Sequence, residues 1–234
     1  MKKVFVFVGN FGSGKTELAL NTAFRAAQKG RTELIDLDMV NTYFRLSERK
    51  ELIESKGIRL ISPNYVCTNV ETLSLPAEVS SAFDQDWDTV VFDVGGDPVG
   101  ATALGRFHDD FMKLPEGSLQ VLLVVNVRRP LSSTPERIMK LIDETVRNAR
   151  LNITGLINNT NLAGETGADE LQDGYTVLRE VSDRTGIPVV CTSGLRLPLE
   201  AFMETSPEAR YVGETLAIDT FLHRDWNSFI HHGL

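Results

Sequence analysis

A doubly wound, mainly parallel α/β sheet with helices on both faces is the fold class that this sequence predicts. Three observations carry the expectation. Short unbroken apolar runs such as Val4-Phe5-Val6-Phe7-Val8 have the length and composition of strands buried on both faces. Segments with apolar residues at helical spacing lie between these runs, so strand and helix alternate along the chain. The polar and glycine-rich clusters fall where predicted strands end, the edge at which open α/β sheets bind ligands. The 234 residues suit one large domain spanning 1–234.

The first strand runs into a glycine-rich turn, and Leu20, Ala23, Phe24 and Ala27 then mark a helix that stops at Lys29-Gly30. Glu33 to Asp38 reads as a second strand with Asp36 and Asp38 at its exit. A charged helix is expected from Leu46 to Lys56, a short strand from Ile58 to Ile61, and a helix from Leu73 to Phe83. Thr89 to Val94 is an apolar strand leading into Gly95-Gly96. Val99 to Met112 is expected as a helix and Leu119 to Asn126 as a strand. Thr134 before Pro135 is an N-cap with proline at the first helical position, and Ile138, Leu141, Ile142, Val146 and Ala149 share one face of the helix it opens. Ile153 to Ile157 is a strand. Leu171, Tyr175, Leu178 and Val181 mark a helix that stops near Gly186 and that Gly174 could divide in two, and Ile187 to Cys191 is the last strand. Ile218, Phe221, Leu222, Trp226, Phe229 and Ile230 form a stripe expected on a helix packed on the domain or on a second subunit.

A net charge of −8 argues against a surface built for nucleic acid or for an anionic membrane. Cys67 and Cys191, far apart, suggest neither a zinc site nor a disulfide framework. The C-terminal stripe lacks the lysines of an interfacial membrane helix. The first residues lead straight into the first strand, and no apolar run is long enough to span a membrane, so the expected location is the cytoplasm.

The chemistry centres on Gly9-Asn10-Phe11-Gly12-Ser13-Gly14-Lys15-Thr16, a full match to the G-x-x-x-x-G-K-[ST] phosphate loop. Such a turn aims backbone N–H groups at phosphates, the helix N-terminus adds positive potential, Lys15 reaches the β/γ-phosphates, and the Thr16 hydroxyl ligates Mg²⁺. A second metal acid is needed, and Asp93 is the candidate, because Asp93-Val94-Gly95-Gly96 fits D-x-x-G with Gly96 sensing the terminal phosphate. Of the two acids leaving the second strand, Asp38 is the better placed to orient an attacking water; both could instead cap the next segment. Asn158, Asn159 and Asn161 stand where a base is read by its edge, or else only form turns. An amide there is poorly matched to guanine, so adenine is preferred. Arg45, Arg106, Arg128 and Arg129 each could supply transition-state charge, and the sequence does not rank them.

The order of these motifs, with Pro130-Leu131-Ser132-Ser133 and Gly186-Ile187-Pro188-Val189, resembles the MinD/ParA-like branch of P-loop ATPases, from Met1 to about Gly194. That branch also includes metallocentre-maturation and cobyrinate-synthase-related members. The resemblance implies Mg²⁺ and ATP as cofactors, slow hydrolysis and a nucleotide-dependent homodimer. It places Lys15 and Thr16 on phosphate and metal, Asp38 on the attacking water, Asp93 on the metal, and Asn158 or Asn159 at the base. The chain departs from it at Asn10, where the family has a lysine that contacts phosphate across the dimer. The paired cysteines of the metallocentre members are also absent.

The function expected is that of a Mg²⁺-ATP hydrolase switching conformation on an unidentified protein partner. The alternatives are an ATP-dependent small-molecule phosphotransferase or ligase, and a nucleotide-binding regulatory module with little turnover.

Overall fold

A computed structural model describes residues 2–38, 46–62, 77–84 and 86–222. Arg45, Cys67, Trp226, Phe229, Ile230 and the first part of the helix expected from Leu73 lie outside them. Eight strands form one sheet: β1 (Lys3–Val8), β2 (Thr32–Leu37), β3 (Ile58–Ile61), β4 (Thr89–Val94), β5 (Leu119–Val125), β6 (Gly155–Asn158), β7 (Val189–Gly194) and β8 (Glu214–Ala217). Their order is β3-β2-β4-β1-β5-β6-β7-β8, and every pairing is parallel. From β1 the chain passes to β2 and β3 on one side, returns to lay β4 between β2 and β1, and then crosses to the other side for β5 to β8. The carboxyl end of β1 therefore opens at the switch point of the sheet, where a crevice is left between diverging connections.

The helices are α1 (Lys15–Ala27), α2 (Lys50–Ser55), α3 (Ser81–Asp84), α4 (Pro98–Gly105), α5 (His108–Met112), α6 (Pro135–Ala149), α7 (Ala168–Thr185) and α8 (Arg196–Glu204). They cover both faces. Val4, Val6 and Val8 of β1 face a core shared with α4, α5, α6 and α7, while Phe7 points the other way to Leu18, Leu20 and Ala23 of α1. Successive strand residues alternate sides, so burial on both faces turns what would be an alternating pattern into a continuous apolar run. A smaller core joins Leu171 and Tyr175 of α7 to Leu199 and Phe202 of α8.

Several expectations change in the structure. The helix expected from Val99 to Met112 is two short helices, with Gly105 packed so closely on α6 that an added Cβ would lie 2.7 Å from the Asn148 carbonyl oxygen. The strand expected from Ile187 begins at Val189 and continues to Gly194, and α8 and β8 follow it unforeseen. Ile218 to Leu222 are irregular and not the start of a helix. They run back along α1: Asn21 and Asp219 exchange two hydrogen bonds of 2.9 Å, the Glu17 carboxylate accepts the N–H groups of Phe221 and Leu222, and the Phe24 and Phe221 rings meet edge to face at 4.8 Å. No helix among the described residues is long and apolar enough to cross a membrane.

Gly174 does not interrupt α7, which runs unbroken through it. The reason for a glycine is the neighbour: an added Cβ would overlap the Asn158 Oδ1 and Thr160 Oγ1 atoms at the end of β6. Gly174→Ala should gain about 1 kcal/mol of helix propensity but lose more to that overlap, for a net destabilisation of roughly 1–2 kcal/mol. Urea unfolding checks it, and an alanine variant as stable as wild type would contradict the packing described.

Candidate functional site

Residues 9–14 leave β1 as a tight turn over the N-terminus of α1. Gly14 has φ +90°, a backbone state that glycine alone adopts without strain, and its missing side chain leaves room for the Asn159 amide. Asn159 Nδ2 donates to the Ser13 carbonyl at 2.7 Å, and its Oδ1 accepts from the Ser193 hydroxyl at 2.9 Å. The turn is thus tied to the ends of β6 and β7. The loop after β4 closes on it from the opposite side, since an added Cβ on Gly96 would stand 2.8 Å from the Phe11 Cα.

Lys15 is only 5% exposed, and its Nζ donates to the Asn10 carbonyl at 2.9 Å. Burial pulls the ammonium below its ordinary pKa, against the attraction of Asp93, Asp38 and Asp97. Asp93 is 1% exposed, and neither of its oxygens has a hydrogen-bond partner of good geometry among the described residues. Burial pushes its carboxyl up to about 7; the Lys15 ammonium and the Thr16 hydroxyl pull it down, and the Asp38 charge pushes it further up. The cost of desolvation exceeds the attraction of the one cation beside it. Asn10 Nδ2 and Ser13 Oγ, both in the loop, are likewise buried without partners.

The donor set fits a magnesium ion with a phosphate chain. A small hard cation is held by one or two carboxylates, a hydroxyl, phosphate oxygens and water, not by a cage of side chains. Asp93 would supply the carboxylate and Thr16 the hydroxyl. No group of three His, Cys, Asp or Glu side chains among the described residues would hold a metal without such help.

Asp38 is half-buried, with its Oδ1 on the side of Gly95, where an added Cβ would be 3.2 Å away. Asp36 has a turn-forming task, because its Oδ1 accepts the Asp38 N–H at 2.9 Å. The structure therefore gathers Lys15, Thr16, Asp38 and Asp93 at one place. Phe11, expected to line the nucleotide, is 61% exposed.

The asparagines after β6 are held by the fold. Asn158 is 1% exposed, donates to the Leu171 carbonyl at 3.0 Å and accepts from the Thr160 N–H at 3.2 Å, so its amide is enclosed beneath α7. Asn159 gives one of its two N–H donors to the Ser13 carbonyl, and its oxygen accepts the Ser193 hydroxyl. Asn161 donates to the Asn159 carbonyl at 2.8 Å and accepts from the Ala163 N–H at 3.2 Å. These amides shape the loop at the end of β6.

Asp97 belongs to the site and went unnoticed in the sequence. Its Oδ1 accepts the Gly100 N–H at 2.7 Å as the N-cap of α4, close enough for its charge to act on Lys15. Asp97-Pro98 carries the same cap signal as Thr134-Pro135. Among the arginines, Arg128 pairs with Glu170 and Asp173, Arg106 ends α4 on the surface, and Arg129 Nε donates to the Gly12 carbonyl at 3.0 Å. Cys191 takes no part: burial pushes its thiol up to about 12. An open cavity of about 460 Å³ lies at the other end of the sheet, near Lys3, Arg25 and Lys29.

No protein-family model matches the sequence, and no curated protein matches it. Solved structures do. FtsY from Mycoplasma mycoides aligns with a TM-score of 0.55 at 16% identity, over 82% of this chain and 60% of that one. Chloroplast FtsY from Physcomitrella patens gives 0.56 at 17%, over 87% and 65%. The signal recognition particle receptor FtsY from Elizabethkingia anophelis, in complex with GDP, gives 0.52 at 18%, over 82% and 57%. The chain spans about three-fifths of the length of these structures. Identity this low carries the fold and no more: the parallel sheet, the glycine-rich turn and the helix behind it make this a P-loop NTPase fold.

Proposed function

We propose that this chain binds a nucleoside triphosphate with Mg²⁺ in the loop of residues 9–16, hydrolyses it, and uses the two nucleotide states as a switch on a protein partner in the cytoplasm, in the manner of MinD/ParA-like ATPases. The observation that carries the reading is the buried Asp93 carboxylate, without a hydrogen bond of good geometry among the described residues and set beside Lys15 and Thr16 under a phosphate loop. Bound magnesium would supply positive charge against the negative charge that builds during phosphoryl transfer. Thr16 and Asp93 hold it. Lys15 exchanges the Asn10 carbonyl for phosphate oxygen, Asp38 accepts a hydrogen bond from the attacking water and orients it, and the Gly96 N–H responds to the terminal phosphate.

ATP is the nucleotide we favour, because Asn158-Asn159-Thr160-Asn161-Leu162 contains no carboxylate to accept the ring N–H and amine of guanine. GTP is the second reading, favoured by the GDP held in the Elizabethkingia FtsY structure. A partner is supported by the carboxyl edge of the sheet. Phe11, Leu131, Leu162 and Leu197 follow the neighbouring strands β1, β5, β6 and β7, and are 61%, 68%, 44% and 75% exposed. Apolar groups in a row beside a nucleotide site suit a protein surface that docks there, another protein or a second copy.

Calorimetric titration of ATP and GTP with Mg²⁺ tests the reading. One of them should bind, and Lys15→Ala should weaken it about 10–100-fold through loss of a charged hydrogen bond. Binding of neither, or equal binding by the variant, would refute it.

Asp93 gives an independent test in the nucleotide-free protein. Its carboxyl titrates near 3.8 unfolded and near 7 folded. Between those values the folded state keeps a proton that the unfolded chain has released, so this residue lowers stability as pH rises from 4 to 7. Asp93→Asn removes the titration. The variant should melt above wild type at pH 8, with the difference shrinking towards pH 4.5, and should lose the Mg²⁺ dependence of nucleotide binding. Parallel melting curves across that range would contradict the burial cost assigned to Asp93.

A further inference from the structure

Arg128 and Arg129 stand side by side in the turn after β5, and the fold uses them differently. The Arg128 guanidinium meets Glu170 at 3.1 Å and Asp173 at 2.6 Å on α7, which neutralises it. Arg129 turns towards the phosphate loop. Its Nε donates to the Gly12 carbonyl at 3.0 Å, and an added Cβ on Gly12 would lie 3.3 Å from Nε and 3.5 Å from Cζ, so the guanidinium lies against the fourth residue of the loop. No carboxylate pairs with it among the described residues. Of its five N–H donors the Gly12 carbonyl takes one.

The turn that carries Arg129 is anchored. Asn126 is fully buried and accepts the Arg129 N–H at 3.0 Å, the Ser132 hydroxyl donates to the same Asn126 carbonyl at 2.8 Å, and the Ser132 N–H returns to the Arg129 carbonyl at 3.0 Å. Asn126 Nδ2 in turn holds the Asn161 carbonyl at 3.1 Å. An unpaired guanidinium in a chain of net charge −8 is thus fixed at the rim of the loop by a network reaching to the end of β6.

We infer that Arg129 is a catalytic residue supplied by the same chain, its Nη groups meeting the charge that develops during phosphoryl transfer; the inference rests on the nucleotide-hydrolysing reading above. In that reaction the water oxygen bonds to the terminal phosphorus while the bond to the bridging oxygen breaks. The electron pair of that bond leaves with the diphosphate, and the proton of the water passes to the released phosphate or to solvent. Negative charge moves towards the leaving oxygen, and a guanidinium held beside the loop stabilises it more in the transition state than in the bound triphosphate. Asn10 places no charge on the loop, and its side chain is buried, so Arg129 supplies the cation from within one molecule.

The test uses the whole chain with Arg129→Ala and Arg129→Lys, titrated calorimetrically with ADP·Mg²⁺ and, in a parallel arm, GDP·Mg²⁺, each with and without aluminium fluoride as a mimic of the transferring phosphoryl group; kcat and KM are measured alongside. In wild type the fluoride should tighten diphosphate binding at least about tenfold, as expected of a transition-state mimic. Arg129→Ala should keep its affinity for the diphosphate alone within about threefold, lose the gain from fluoride, and lower kcat by roughly 10²–10³-fold with KM little changed. Arg129→Lys should recover part of both. The inference is overturned if Arg129→Ala weakens the diphosphate as much without fluoride as with it, since the side chain then only shapes the loop. A full fluoride gain in Arg129→Ala, or none in wild type, also overturns it. If wild type binds neither diphosphate, the nucleotide reading itself fails, and the role of Arg129 with it.

Discussion

A single buried ammonium sets the terms for the carboxyl edge of this sheet. Lys15 is almost wholly withdrawn from water, and a cation in that position needs acceptors on every side. One comes from its own loop, through the Asn10 carbonyl, and longer-range compensation comes from Asp93 on β4, Asp38 beyond β2 and Asp97 at the head of α4. Three connections must therefore converge on one atom. The sheet order achieves this, because β1 lies directly beside β4, and β4 beside β2. Withdrawing any one of those strands would leave the ammonium short of charge in a place that water scarcely reaches.

The loop itself holds its shape through contacts that leave little freedom for substitution. Asn159 reaches across from β6 to the Ser13 carbonyl, and Gly14 must lack a side chain for it to do so. Asn158 and Thr160 press on α7, where Gly174 makes the room. A row of small and amide-bearing residues thus links the phosphate loop, the end of β6 and the middle of α7 into one packed unit, in which the side-chain amides of Asn158 and Asn159 are hydrogen-bonded while Asn10 Nδ2 and Ser13 Oγ of the loop are left without partners among the described residues.

How much of this was legible in the sequence depended on whether a residue's task is local. The phosphate loop could be read because its spacing answers to the backbone of one turn. β1, β4 and β5 could be read because burial on both sides writes an apolar run. β8 could not: Glu214-Thr215-Leu216-Ala217 is a half-exposed edge strand of four residues with no such run. α8 has Pro198 in its first turn and no capping side chain, which hid its start. The asparagines' contacts to Ser13, Leu171 and Ser193 were not legible, because an amide suits a base and a backbone carbonyl equally well, and only the fold decides which lies within reach. The two adjacent arginines were indistinguishable for the same reason: the acids that claim Arg128 lie more than forty residues further along the chain.

Glu17 follows Thr16 directly, and its carboxylate grips the backbone of Phe221 and Leu222. A label placed at Phe221 or Leu222 would pull on the same helical turn as Lys15 and Thr16, and its drag would be felt there. The start of β1, at the opposite rim of the sheet, is the quieter place to attach a label.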